Sequence, residues 1–138
     1  MTFLVLDDEP LARAQICRAF ETDGHACRTA GTIDEAASVM ATESIDGIVF
    51  NLEPQGESGV SWLERVFYKR PSLTRRTVVA TNSDLRADVR RRIARIGAVM
   101  LLKPFSVETL RSVVLDLMSK SGKTRRPAWH PAAREAGE

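Results

Sequence analysis

Two adjacent carboxylates, Asp7 and Asp8, follow directly on a run of four apolar residues at positions 3–6. Three further polar groups stand in the same relation to later apolar runs: Asn51 after residues 47–50, Thr81 after residues 77–80, and Lys103 after residues 99–102. Paired carboxylates with an amide or main-chain oxygen make a hard-oxygen set suited to magnesium, which takes oxygen ligands and keeps several waters. Glu53, two residues past Asn51, adds a carboxylate or main-chain carbonyl to that set. A hydroxyl and an ammonium opposite such an ion can hold the oxygens of a phosphoryl group.

These groups are scattered over about a hundred residues, so only a particular fold can gather them. Residues 47–50 (Gly-Ile-Val-Phe) empty into Asn51, then Glu53, Pro54, Gly56 and Gly59, which reads as a buried strand running into a loop. A strand apolar on both faces belongs in the middle of a parallel sheet, where chemistry gathers past the carboxyl ends of the strands. The apolar runs alternate with amphipathic segments at residues 11–22, 33–42, 60–69, 85–96 and 107–118. In the first, Leu11, Ala14, Cys17 and Phe20 are expected inward; in the third, Trp62 lies off the apolar stripe and is expected to be partly exposed. Thr32 with Glu35 matches a capping box, Gly97 a C-cap, and Ser106 an N-cap. A βα unit repeated five times predicts a doubly wound α/β domain with helices on both faces of a parallel sheet.

With 138 residues the chain has the length of one domain, and 43% hydrophobic and 28% charged residues are ordinary for a globular protein. The apolar runs are too short to span a bilayer and the N-terminus lacks a signal-peptide pattern, which makes a cytoplasmic location the expectation. Cys17 and Cys27 are too few for a disulfide framework and are expected to be reduced, space-filling thiols. Residues 1–64 carry 12 acidic and 3 basic side chains, a net −9, whereas residues 65–118 carry 4 acidic and 12 basic, a net +8. Arg86, Arg90, Arg91, Arg92 and Arg95 concentrate the positive charge on the outer face of the fourth amphipathic segment, a surface for an acidic partner or a solvated face. From residue 119 the pattern dissolves into a basic tail rich in Ser, Gly and Pro, expected to be disordered, with Trp129 its one large aromatic.

Taken together, Asp7-Asp8-Glu9-Pro10 after the first strand, Gly59 eight residues beyond Asn51, Thr81, and Lys103-Pro104-Phe105 resemble a response-regulator receiver domain of two-component signalling. The resemblance covers about residues 3–118. It implies a flavodoxin-like (βα)5 fold with strand order 2-1-3-4-5. It also implies a magnesium site at Asp7, Asp8 and the central-strand residue, and contacts from Thr81 and Lys103 to a phosphoryl group. The face made by the fourth helix, fifth strand and fifth helix would carry the signal, to a sensor histidine kinase, a phosphotransfer protein, another signalling protein or a second copy of the chain.

The departures from that family matter equally. Asn51 stands where the family places the aspartate that attacks a phosphohistidine, and a neutral amide oxygen is no substitute for an anionic nucleophile. Met100 stands where the family usually has the Tyr or Phe that moves when phosphate arrives, and Gln55 takes the place of a loop proline. Loss of a charge at position 51 also weakens the magnesium site. The leading expectation is a receiver without an effector domain that works by protein contact and is not phosphorylated at position 51. Three alternatives stay open: an ordinary receiver represented by an Asn51 variant, an aspartate-dependent phosphatase using Asp7 or Asp8, and nucleic-acid binding through the Arg-rich helix, though no DNA-binding motif follows residue 118.

Overall fold

The computed structural model describes residues 1–53, 56–82 and 84–119. The tail beyond Ser119, with Trp129, and the loop residues Pro54 and Gln55 lie outside the described residues. The elements alternate as β1 (Thr2–Leu6), α1 (Pro10–Thr22), β2 (Ala26–Ala30), α2 (Ile33–Thr42), β3 (Gly47–Asn51), α3 (Gly56–Lys69), β4 (Thr77–Thr81), α4 (Ala87–Ile96), β5 (Val99–Leu102) and α5 (Val107–Ser119), with a 3-10 turn at Pro71–Arg76 before β4. All strand pairs are parallel and the order is β2-β1-β3-β4-β5. This is the doubly wound α/β architecture that the repeat of strand and helix patterns predicts, in the flavodoxin-like strand order that the resemblance to receiver domains implies.

Because side chains alternate across a strand, the sheet sorts its apolar residues into two cores. Leu4, Leu6, Ile48, Phe50, Val79 and Met100 pack with α2, α3 and α4 on one face. Phe3, Val5, Val49, Val78, Val99 and Leu101 pack with α1 and α5 on the other. Gly47 opens β3 where a Cβ would lie 2.5 Å from the Phe3 ring and 2.8 Å from the Arg76 carbonyl oxygen, so only glycine lets the strand run this close. Helix ends follow the sequence signals. The Thr32 hydroxyl accepts from the Glu35 N–H at 3.1 Å, the Ser106 hydroxyl from the Thr109 N–H at 3.0 Å, and Gly97 closes α4 in the left-handed region with φ +89°.

Three expectations are corrected. Leu11 is 66% exposed, and Ile16, Cys17 and Phe20 form the buried face of α1 instead. Spacing by three advances 300° around a 3.6-residue helix, so the series Leu11, Ala14, Cys17, Phe20 slips about 60° per step and cannot hold one face. Trp62 is buried and stacks on Phe50 with ring centroids 5.9 Å apart, because the inner face of α3 is wide enough to take it beside Leu63. Cys17 and Cys27 are joined in a disulfide (S–S 2.06 Å, Cα–Cα 5.5 Å) and are not free thiols. The chain reverses at Asp23 and Gly24 (φ +89°), which sets the last half of α1 directly against β2 and brings the two sulfurs face to face. Among the described residues no helix is long and apolar enough to cross a membrane.

Candidate functional site

Every strand points the same way, so the ends of β1, β3, β4 and β5 open on one edge of the sheet. Asp7 and Asp8 leave β1, Asn51 ends β3, Thr81 ends β4, and Lys103 follows β5. The Lys103 backbone N–H donates to the Thr81 carbonyl at 2.8 Å, which prolongs the β4–β5 ladder past the last strand residue and holds Lys103 at the rim. The Lys103–Pro104 peptide is cis. An open cleft of about 610 Å3 lies at this edge, with Asp7, Asp8, Asn51, Glu53, Lys103 and Phe105 in its wall.

Asn51 is buried, with 8% of its surface exposed, and its amide is used at both ends. Its Oδ1 accepts a hydrogen bond from the Lys103 ammonium, and its Nδ2 donates to Asp7 Oδ1 at 3.3 Å. The partners fix the orientation. An ammonium can only donate and a carboxylate can only accept, so the amide oxygen must face Lys103 and the NH2 must face Asp7. Asp7 Oδ1 also accepts the Glu9 N–H at 2.9 Å, which ties the acidic loop to the start of α1.

Glu53 reaches the other side of the cleft. Its Oε2 accepts from the Thr81 hydroxyl at 2.8 Å and from the Asn82 backbone N–H at 3.2 Å, while its Oε1 lies 3.4 Å from Lys103 Nζ. Partial burial alone would raise its pKa. The Thr81 hydroxyl, the Asn82 N–H and the Lys103 ammonium outweigh that penalty and hold the carboxyl below its ordinary value. Thr81, 1% exposed, does not line the cleft; Glu53 stands between it and Lys103.

The expected oxygen set for magnesium is therefore divided. The Asn51 oxygen faces Lys103, its NH2 faces Asp7, and Glu53 is committed to Thr81 and Asn82. Among the described residues no three His, Cys, Asp or Glu side chains gather in an arrangement that could hold a metal ion. Asp7 Oδ1 is taken by the Asn51 amide and the Glu9 N–H, which leaves Asp7 Oδ2 and the Asp8 carboxylate as the side-chain oxygens of this set outside its hydrogen bonds.

The arginines of the fourth segment also divide. Arg86 pairs with Glu57 and with Asp88 (2.6 Å), and Arg92 pairs with Glu64 (2.8 Å) and the Ser61 hydroxyl (3.1 Å) on α3. The Arg86 guanidinium pulls the Asp88 carboxyl down to about 2. Arg91 and Arg95 are exposed, Arg90 is half-buried, and Met100 is 2% exposed beneath α4.

An open parallel sheet with acids, an amide, a hydroxyl and an ammonium gathered at one rim defines a flavodoxin-like protein with a polar site at its strand ends. The sequence profile of the response regulator receiver domain matches residues 3–115, and the chain belongs to that family. It is a receiver domain of two-component signalling. A response regulator from Thermotoga maritima is similar over 86% of this chain and 97% of its own, at 24% identity and a TM-score of 0.73. NtrX from Brucella abortus, solved with ADP, matches at 23% identity and 0.73, but this chain covers only 26% of it. A response regulator from Burkholderia pseudomallei, solved with a phosphorylated aspartic acid, a calcium ion and citrate, matches at 25% identity and 0.69 over 88% of this chain and 72% of its own. No curated protein matches the sequence.

Proposed function

We propose that residues 1–118 act as a receiver whose state is set without phosphate at the end of β3 and whose work is binding, not turnover. Asn51 occupies the phosphoacceptor position, Thr81 and Lys103 the positions that in the family contact the phosphoryl group, and Met100 the position of the moving aromatic. The observation that carries this reading is the double use of the Asn51 amide, whose oxygen is a neutral acceptor already engaged by Lys103. Attack on a phosphohistidine or a small acyl phosphate needs a carboxylate oxygen, and no carboxylate stands at this point. The burial of Met100 agrees with a face that does not switch by swinging a ring.

In this reading Asp7 and Asp8 are kept as the acidic wall to which the amide is anchored, and magnesium is not a resident ion. The partner is a histidine kinase, a phosphotransfer protein or another signalling protein met through α4, β5 and α5, where Arg91 and Arg95 offer positive charge that would steer an acidic surface. A second copy of the chain is the other occupant this face admits. The test is phosphorylation by acetyl phosphate in the presence of magnesium, read by intact mass. The native chain should gain no phosphoryl group, and Asn51→Asp should gain one; a phosphoryl group on the native chain, mapped to the loops of this cleft, contradicts the proposal.

A further inference from the structure

Thr81 Oγ1, the Asn82 backbone N–H and Lys103 Nζ are three donors converging on one carboxylate, that of Glu53, with separations of 2.8, 3.2 and 3.4 Å. One hydroxyl, one backbone amide and one ammonium are the donor types suited to a tetrahedral oxyanion. Here they are filled from within the chain. Glu53 belongs to the turn after β3, only two residues beyond Asn51, and its side chain crosses from the β3 exit to the β4 exit to reach these groups. Its side chain keeps 35% of its surface exposed, so the carboxylate enters the donor set from the solvent side and covers the buried Thr81 hydroxyl.

We infer that the Glu53 carboxylate is the resident anion of the Thr81–Asn82–Lys103 donor set and takes the place of a phosphoryl group there. The inference rests on the receiver reading above and adds to it the means by which the site is occupied without phosphate. Asn51 and Glu53 then play complementary parts. The amide satisfies Lys103 and Asp7 without an anion on β3, and the neighbouring carboxylate supplies the negative charge one strand further along. Lys103 is the shared member, donating to both. Thr81 is held at the end of β4, whose partner strand β5 carries Met100 opposite Val79, so the occupied donor set adjoins the strand that forms the signalling face.

An internal carboxylate on a short loop competes with dissolved anions at an effective concentration on the order of millimolar or higher. Emptying the set should therefore uncover a site for a free oxyanion. The experiment is a titration with inorganic phosphate, without magnesium, of the native chain, Glu53→Ala and Glu53→Gln, followed by backbone amide chemical shifts. In Glu53→Ala the Asn82 amide should move away from its native position and then return toward it in a saturable way as phosphate is added, with an affinity at least about tenfold above that of the native chain. Residues of β5 should follow the same curve. Glu53→Gln keeps the size and one acceptor oxygen, so it should hold the Asn82 shift closer to native and take phosphate less readily than Glu53→Ala.

Equal phosphate responses in the native chain and in Glu53→Ala would overturn the inference, as would an unchanged Asn82 amide in both variants. Because no phosphoryl transfer is involved, these outcomes are separate from the fate of the receiver reading: Asn51→Asp can take a phosphoryl group from acetyl phosphate whichever way the Glu53 titration falls.

Discussion

The Thr81 hydroxyl donates to Glu53 at 2.8 Å from a position that is itself almost wholly buried, so the end of β4 is tied to the turn after β3 by one charge-assisted bond. Such bonds are shorter and stronger than neutral ones, and partial exposure of Glu53 reduces their worth. Thr81→Val keeps the shape and deletes the donor. The substitution should cost about 1 kcal/mol in urea unfolding, and Glu53→Gln made on top of it should cost less than it does alone.

The Cys17–Cys27 disulfide closes a loop of ten residues between α1 and β2. Chain-entropy arguments put the stabilisation from a loop of that length at about 2 to 3 kcal/mol. Reduction, or the double replacement of both cysteines by serine, should lower the unfolding free energy by that amount, and the denaturation midpoint with it, while leaving far-UV circular dichroism unchanged at room temperature. An unchanged midpoint would show that the bond does not form in the protein as prepared.

Asp23 and Arg111 clamp the end of α1 to α5, with Arg111 donating to both carboxylate oxygens at 2.9 and 2.5 Å. The Arg111 hydrogen bond holds the Asp23 carboxyl below its ordinary value. A carboxyl whose folded pKa is depressed stabilises the fold above its unfolded pKa and loses that contribution as pH falls through the folded value. Asp23→Asn should therefore be less stable than the native chain near neutrality. The gap should close as pH is lowered past the ordinary aspartate range, which paired urea titrations would show.

Much of the architecture is legible in the residues because each βα unit carries its own signals. Residues 47–50 and 77–80 are apolar on both faces, which places them inside a parallel sheet, and Ser106 and Gly97 mark helix ends by their chemistry. What failed to show in the sequence depends on side-chain direction. Counting residues places Leu11 inward and Trp62 off the stripe, but small drifts in helical phase decide whether such a residue is in or out. The Cys17–Cys27 bond depends on a reversal at Gly24 that puts two distant positions together. At the site, sequence order places Asp7, Asn51, Thr81 and Lys103 at strand ends. It does not say that Glu53 turns toward Thr81 while Asp8 stays in solvent, because the backbone just past the strand, two residues beyond Asn51, sets that choice. The same holds for the arginines, of which Arg86 and Arg92 turn to acids on α3 and Arg91 and Arg95 do not.

The arrangement around Asn51 makes a definite demand on any carboxylate placed there. Asn51 Nδ2 lies 3.3 Å from Asp7 Oδ1, so an aspartate at this position would set two negative charges against each other in a partly buried cleft. Like charges so close destabilise the ionised pair until a cation joins them. Thermal unfolding with and without magnesium, for the native chain and for Asn51→Asp, is the most direct measurement of the claim that an amide bridge stands in for a carboxylate and its ion. The native midpoint should not move with magnesium, whereas Asn51→Asp should melt lower in chelator and recover when magnesium is added; a native midpoint that rises with magnesium as far as the variant's would contradict the account.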